Sequence, residues 1–204
     1  MSFSINIVEL KEIRFHGRGG QGSVSAAALL ALAAFEDGYE SQAFPKFGSE
    51  RRGAPVEAYV RISDEDIRVH NQVYQPDALV VQDKTLLHAK TVLQGLKPQG
   101  IVVLNSDDPL VKIQGSTVEE FTWIIIPANR ISQKILGITL PNTVLLGALA
   151  ASSGWVSREA LENAVATHLY SKGEEVVEAN ILAVREGFLF GEKSRDSEKD
   201  EAVS

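Results

Sequence analysis

Cysteine is absent from the 204-residue sequence. Its absence excludes disulfides, a cysteine nucleophile and cysteine-ligated zinc or iron–sulfur clusters within these residues. The four histidines show none of the spacings that are typical of a metal site. Any metal or redox chemistry must therefore belong to another chain or to a bound cofactor.

An excess of basic charge and long hydrophobic runs are also missing. The formal net charge is −7, the opposite of the positive balance that nucleic-acid binding favours, so no nucleic-acid partner is expected. No run of about 18 apolar residues is present, so we expect no membrane span. The first ten residues lack the basic and apolar regions of a signal peptide. These features together predict a cytoplasmic protein.

Strands and helices are predicted to alternate along most of the chain. Continuous apolar strands between helices are typical of a parallel sheet that is covered on both faces. The predicted fold is therefore α/β, a Rossmann-like, mainly parallel sheet with helices on both faces and a β-hairpin insertion. The hairpin pairs Val56–Ile62 with Ile67–His70. Helices are predicted at residues 23–35, 84–96, 131–137, 143–152, 157–170 and 174–190.

Domain organisation follows from length and composition. Residues 1–190 are predicted to form a single α/β domain. Residues 191–204 hold five acidic and three basic residues and almost no apolar side chain. This composition predicts a disordered acidic tail.

A glycine-rich loop follows the first predicted strand, Ile13–His16, and precedes a helix. Its residues Gly17, Arg18, Gly19, Gly20, Gln21 and Gly22 match the G-x-G-x-x-G pattern. Glycine lets the backbone approach a ligand, and the helix start offers free N–H groups to phosphate. Arg18 could add a cation and Ser23 a hydroxyl. The alternative is a tight strand–helix turn in which the glycines serve packing alone.

A second loop follows the second predicted strand and carries Arg51 and Arg52. A dinucleotide fold normally has an acid at the end of this strand, but the sequence there is Gln42–Lys46 and contains none. Guanidinium groups grip phosphate in a bidentate way, and we expect this loop to lie beside the glycine loop. The arginines could equally pair with acids of a partner subunit.

These two stretches together resemble the γ subunit, or γ domain, of pyruvate:ferredoxin oxidoreductase and other 2-oxoacid:ferredoxin oxidoreductases. The resemblance covers about residues 10–190 and extends through Pro141-Asn142-Thr143. Its most specific segments are Phe15–Val24 and Phe47–Val56.

The resemblance implies an enzyme subunit without a complete active site of its own. Such enzymes decarboxylate a 2-oxoacid, commonly pyruvate, on thiamine diphosphate with Mg²⁺, pass electrons through iron–sulfur clusters to ferredoxin or a similar acceptor, and form an acyl-coenzyme A. It implies as partners the α and β (thiamine diphosphate) subunits and a ferredoxin-like iron–sulfur subunit. It also implies that this chain contributes to coenzyme A binding and closure of the active site.

When the binding residues of the family are carried over by position, the resemblance implies that the glycine loop and Ser23 form the coenzyme A phosphate loop. Arg51, Arg52 and Asn142 become further contacts, and Asn180 a weaker one. Asn142 could instead be only a helix N-cap. Two other functions stay open at this point: an NAD(P)-binding domain in which Arg51 and Arg52 serve NADP, and a non-catalytic assembly subunit. No residue of the chain is predicted to be catalytic, and His16 is more simply explained as structural.

Overall fold

The structure is a computed structural model, and it describes residues 9–46, 53–69, 71–89, 91–108 and 120–202, with side chains as far as residue 194. The strands are β1 (Lys11–Arg18), β2 (Glu40–Pro45), β3 (Pro55–Ser63), β4 (Ala78–Val81), β5 (Ile101–Asn105) and β6 (Thr122–Ile126). The α-helices are α1 (Ser23–Glu36), α2 (Ala128–Leu136), α3 (Asn142–Ser153), α4 (Arg158–Leu169) and α5 (Glu174–Ala202). Short 3₁₀ helices lie at Lys84–His88 and Tyr170–Lys172.

The described strands form one sheet in the order β2-β3-β1-β4-β5-β6. Strands β1, β4, β5 and β6 are mutually parallel, whereas β3 runs antiparallel to both β1 and β2. The predicted α/β fold with a mostly parallel sheet is therefore confirmed. Because β2 points the same way as β1, the loops after β1, β2, β4 and β5 all leave the sheet at one edge.

The two faces of the sheet are covered differently. Side chains on one face, among them Phe15, Val60 and Val103, join the described α-helices in the larger core. The opposite face carries a smaller core around Leu79 and Leu104, which the 3₁₀ helix Lys84–His88 and the turns after it cover. In the described residues the second face therefore lacks the α-helix that the sequence predicts.

The predicted hairpin between Val56–Ile62 and Ile67–His70 is wrong. Strand β3 pairs with β2 and β1 instead, and residues 67–69 are not a strand. The returning segment is held by side chains: Gln42 Nε2 donates to the carbonyl of Ile67 at 3.1 Å, and Arg61 Nη1 to that of Val69 at 3.1 Å. His70 lies outside the described residues.

The predicted helix 84–96 is limited to the 3₁₀ helix Lys84–His88. Further along, the carbonyls of Val92 and Gln94 accept hydrogen bonds from Arg14 Nη2, at 2.7 and 2.9 Å. Gly95 has φ of +80° and packs against the backbone of Tyr74. Tertiary contacts from β1 and the 71–77 segment thus shape this stretch more than its helix propensity does.

Helix α5 continues to Ala202, across the boundary at residue 190 where the composition predicts a disordered tail. Gly191 is buried, and an added Cβ there would lie 2.6 Å from the carbonyl oxygen of Ala148. Packing on α3 therefore continues to Gly191, one residue beyond the predicted end of the domain. None of the described helices is both long and apolar enough to cross a membrane.

Candidate functional site

The glycine loop lies at the edge where the parallel strands end. Gly17 and Arg18 are the last residues of β1, Gly19–Gly22 form the turn, and Ser23 begins α1. Gly20 and Gly22 have φ of +99° and +77°, which glycine adopts without the steric cost that other residues bear. The G-x-G-x-x-G pattern is thus a strand–turn–helix, as its context predicts.

Arg18 is engaged in a network of its own. Its Nε donates to Asp83 Oδ2 at 2.6 Å, its Nη2 to Thr85 Oγ1 at 2.8 Å and its Nη1 to the carbonyl of Gly53 at 3.1 Å. The sequence predicts Arg18 as a cation for phosphate, whereas the structure uses its guanidinium to tie β1 to the residues after β4. A phosphate contact from this loop would therefore come mainly from its backbone.

The polar side chains of the loop are also ordered by short hydrogen bonds. Gln21 Oε1 accepts from the backbone N–H of Arg18 at 2.7 Å, and Ser23 Oγ donates to Gln82 Oε1 at 2.7 Å. A Cβ on Gly17 would collide with both Ser23 Oγ and Gln82 Oε1. A larger residue at position 17 would therefore displace the Ser23 and Gln82 side chains.

Asn142 begins α3 directly beside Gly22, the residue that precedes α1. A Cβ on Gly22 would lie 2.9 Å from Asn142 Nδ2, so two helix starts meet at this point. Neither start has a side-chain cap or an acidic residue in its first turn. Asn142 is 5% exposed, and its Oδ1 has no hydrogen-bond partner among the described residues. The predicted alternative, that Asn142 is an N-cap, does not fit, because it is the first residue of the helix.

An open cavity of about 550 Å³ begins beside Asn142. Asn180 lines this cavity and is buried. Its Oδ1 accepts from Thr143 Oγ1 at 3.2 Å, and its Nδ2 donates to the carbonyl of Val176 at 2.8 Å. Asn180 therefore links α5 to α3. The apolar lining consists of Leu29, Leu136, Ile138, Leu140, Leu169, Val176 and Ala179.

Arg51 and Arg52 lie outside the described residues. The described end of their loop lies against the glycine loop: Gly19 N–H donates to the carbonyl of Ala54 at 2.9 Å, and Gly53 N–H to that of Gly19 at 3.2 Å. The two loops therefore lie side by side, as predicted, at Gly53 and Ala54. Lys46, at the other end of this loop, pairs with Glu57 at 3.0 Å.

His16 lies on the sheet face opposite the α-helices and is 5% exposed. Its Nε2 accepts a hydrogen bond from Arg14 Nε at 2.9 Å, so this nitrogen is unprotonated. Burial, and then the Arg14 guanidinium, lower the pKa of His16 from 6.5 to about 4. His16 is thus a neutral structural acceptor under Arg14, in agreement with its predicted structural role.

This lowered pKa makes stability depend on pH. The unfolded chain protonates His16 below about pH 6.5, but the folded chain does so only near pH 4, so the contribution of this group is lost as the pH falls through that window. We expect a loss of roughly 3 kcal/mol in the free energy of unfolding. Urea unfolding of the wild type and of His16→Gln across the window measures it. Equal pH slopes in both proteins would contradict the assignment.

Sequence reasoning missed Gln82, Asp83 and Asn105, which complete the polar edge of the sheet. Asn105 Nδ2 donates to the carbonyl of Gln82 at 2.9 Å, and Asp83 holds Arg18. All three lie at or just beyond the end of a buried strand, β4 or β5. That position was a usable signal, because ligand sites of α/β sheets lie at the carboxyl ends of the strands.

Comparison with known proteins places the chain among related sequences and structures. Residues 12–190 match the family described as pyruvate ferredoxin/flavodoxin oxidoreductase. The common γ subunit of pyruvate/ketoisovalerate oxidoreductases from Pyrococcus furiosus is 44% identical over 178 residues, which cover 87% of this chain and 95% of the relative.

Two solved structures share the fold. Pyruvate oxidoreductase subunit PORC from Thermotoga maritima superposes with a TM-score of 0.77 at 37% identity, covering 88% of this chain and 95% of that one. The 2-oxoglutarate:ferredoxin oxidoreductase from Magnetococcus marinus, solved with 2-oxoglutarate, coenzyme A and succinyl-CoA bound, has a TM-score of 0.74 at 24% identity. This second match covers 90% of this chain and 31% of that chain, and it shows the fold alone.

Proposed function

Because the chain belongs to the pyruvate ferredoxin/flavodoxin oxidoreductase family as a γ-type subunit, we propose that it supplies part of the coenzyme A site of its enzyme complex. The observation that carries the proposal is the meeting of two uncapped helix starts, at Gly22 and Asn142. The ligand would place its phosphates there. Family membership favours this role over the NAD(P)-binding alternative and over a pure assembly role.

The chemistry of the two helix starts suits a phosphate. The first N–H groups of a helix lack intrahelical partners, and the helix dipole gives its N-terminus a partial positive charge. The glycine loop contains no acidic residue, and the nearby Asp83 is paired with Arg18 at 2.6 Å. Gly20 has open space where a Cβ would stand, so a ligand can approach the backbone closely.

Further contacts with coenzyme A would come from the loop after β2. Arg51 and Arg52 would supply cations from the loop whose described end, Gly53 and Ala54, bonds to Gly19. Coenzyme A carries a diphosphate and a ribose phosphate, so a backbone cradle and nearby guanidinium groups together suit it better than either alone. Gly17, Arg18, Gln21 and Ser23 would act by fixing the loop.

Partner chains would supply the other chemistry of the complex. The absence of cysteine from this sequence means that iron–sulfur clusters must be held elsewhere. We assign the clusters, thiamine diphosphate and Mg²⁺ to the α, β and ferredoxin-like subunits. Ferredoxin or a similar acceptor would take the electrons in the cytoplasm.

The choice of 2-oxoacid would also be made by the partner chains. The Pyrococcus furiosus relative is named as a subunit common to pyruvate and ketoisovalerate oxidoreductases. A γ subunit shared by two substrate specificities supports a role in which this chain handles coenzyme A and not the 2-oxoacid. Pyruvate is the substrate that we propose first.

Replacement of Asn142 by aspartate tests the proposal. A carboxylate about 5 Å from a phosphate repels it by roughly 3 kcal/mol at an effective dielectric constant of about 20, so we expect the Kd of coenzyme A to rise about a hundredfold. The positive end of the α3 dipole offsets part of the cost of burying this charge. An assembled variant complex shows that the chain still folds. Calorimetric titration of the assembled complex with coenzyme A measures the Kd.

Asn163→Asp is the matched control, because Asn163 is exposed on α4 and the charge change is the same. We expect this control to retain the wild-type Kd. An assembled Asn142→Asp complex that binds coenzyme A as tightly as the wild type would refute the ligand role of this site.

A further inference from the structure

Two consecutive residues after β4, Gln82 and Asp83, hold the glycine loop from its two ends. We infer that they are positioning residues, which fix the loop in its ligand-binding conformation without contacting the ligand. Asp83 acts on Arg18 at the start of the loop, and Gln82 acts on Ser23 at its end. The consequence for coenzyme A rests on the function proposed above.

Asp83 holds the start of the loop through an ion pair with Arg18, and Thr85 fixes the carboxylate of that pair. Its Oδ2 accepts from Arg18 Nε at 2.6 Å, while its Oδ1 accepts from the backbone N–H and the hydroxyl of Thr85 at 2.9 and 2.6 Å. Both carboxylate oxygens are therefore used, and the carboxylate has a single orientation. Burial acts to raise the pKa of Asp83, but the Thr85 and Arg18 interactions outweigh it and leave the pKa lowered.

Arg18 also holds the neighbouring loop between β2 and β3. Its Nη1 donates to the carbonyl of Gly53 at 3.1 Å. Gly19 is bonded to both Gly53 and Ala54 through the backbone. The Asp83 carboxylate thus fixes the glycine loop and the described end of the β2–β3 loop relative to each other.

Gln82 holds the other end and is itself immobilised. Its side chain is fully buried, and its Oε1 accepts from Ser23 Oγ at 2.7 Å. Its backbone N–H donates to the carbonyl of His16 at 2.8 Å, and its carbonyl accepts from Asn105 at 2.9 Å. Three contacts therefore place the Gln82 amide against the first residue of α1.

Fold stability alone does not explain a glutamine at this position. Its Nε2 is buried and has no partner among the described residues, and a buried unpaired donor destabilises a folded chain. A leucine would remove this unpaired donor, but it would also leave the Ser23 hydroxyl without its acceptor. Glutamine at position 82 is explained if the function of the protein depends on the position of the glycine loop. Holding that loop would then outweigh the stability that is lost through the unpaired Nε2.

The loop needs such support because of its own backbone. Gly20 and Gly22 have left-handed φ values, and glycine loses more conformational freedom on ordering than other residues. A ligand that had to order a free loop would bind more weakly, whereas a preorganised loop avoids that cost. Loosening either end should therefore weaken binding while leaving the chemistry of the bound complex intact.

Asp83→Asn and Gln82→Leu in the assembled complex test the inference. We expect amide hydrogen exchange at residues 19–22 to become about tenfold faster in each variant. We also expect the KM for coenzyme A to rise about tenfold, with kcat within about twofold of the wild type. A purely structural role would not produce this split between KM and kcat. Asp107→Asn is the matched control, because Asp107 also pairs with an arginine Nε, that of Arg130, at 2.8 Å on an exposed surface.

Three outcomes decide between the proposals. Unchanged loop exchange in both variants would overturn the inference, whatever the KM. Faster exchange with an unchanged KM would overturn it as well if Asn142→Asp still weakens coenzyme A binding. If exchange is faster but neither these variants nor Asn142→Asp affects coenzyme A, the positioning role stands and the coenzyme A assignment fails.

Discussion

Replacement of Arg61 by methionine is expected to lower the free energy of unfolding by about 3–5 kcal/mol, the usual cost of removing one partner of a buried ion pair. The Arg61 side chain is fully buried, and its Nε donates to Glu12 Oε1 at 2.9 Å. Its Nη1 donates to the carbonyl of Val69 at 3.1 Å, and its Nη2 to that of Asn71 at 2.7 Å. Methionine would fill much of the volume but leave the carboxylate and two carbonyls without their donor.

Urea unfolding of the full chain measures this loss, and Arg68→Met provides the control. Arg68 pairs with Asp66 at 3.6 Å, with side chains 86% and 78% exposed. Exposed pairs of this kind contribute about 0–1 kcal/mol, so the control should unfold almost as the wild type does. Equal stabilities for the two variants would show that the Arg61 network does not hold the segment after β3 on the sheet.

Arg61 also shows why one part of the fold could not be predicted from the sequence. The alternation in Val56–Ile62 correctly predicts a strand and places Arg61 on the polar face. The same alternation suggests that this face meets water. In the folded chain residues 69 and 71 return over it and bury the guanidinium. Local periodicity contains no information about the segment that covers this face, so it predicts that segment as the second strand of a hairpin.

The candidate site likewise combines features that the local sequence predicts with contacts between distant residues that it does not predict. The glycine loop could be predicted because strand, glycines and helix are contiguous in the sequence. The partner of Arg18 could not, since Asp83 lies 65 residues further along the chain. The sequence therefore predicts Arg18 as a cation for phosphate and not as the partner of Asp83. The position of Asn142 beside Gly22 likewise depends on how α3 packs against the sheet, and only the family resemblance pointed to it.

The packing of α3 depends in turn on three glycines, at positions 147, 187 and 191, where it crosses α5. A Cβ on Gly147 would collide with the backbone of Val184, and a Cβ on Gly187 with the backbone of Val144. The two helices are therefore in backbone contact at this crossing. Asn142 begins α3, two residues before Val144 and five before Gly147. The helix crossing therefore fixes where the start of α3 meets the glycine loop.

Replacement of Gly187 by alanine should therefore lower the free energy of unfolding by about 3 kcal/mol, at the upper end of the usual cost of overpacking. Helix propensity alone predicts the opposite sign, a gain of about 1 kcal/mol for alanine over glycine. The propensity gain is outweighed because the new methyl group would meet the Val144 carbonyl, with its carbon at 2.8 Å and its Cα at 3.1 Å, and a backbone cannot rotate away as a side chain can. Glu186→Ala, at an exposed neighbouring position of α5, should change stability by less than about 0.5 kcal/mol in the same urea titration. A Gly187→Ala chain more stable than the wild type would mean that α3 and α5 are not in backbone contact, and that the position of Asn142 beside Gly22 must be fixed by other contacts.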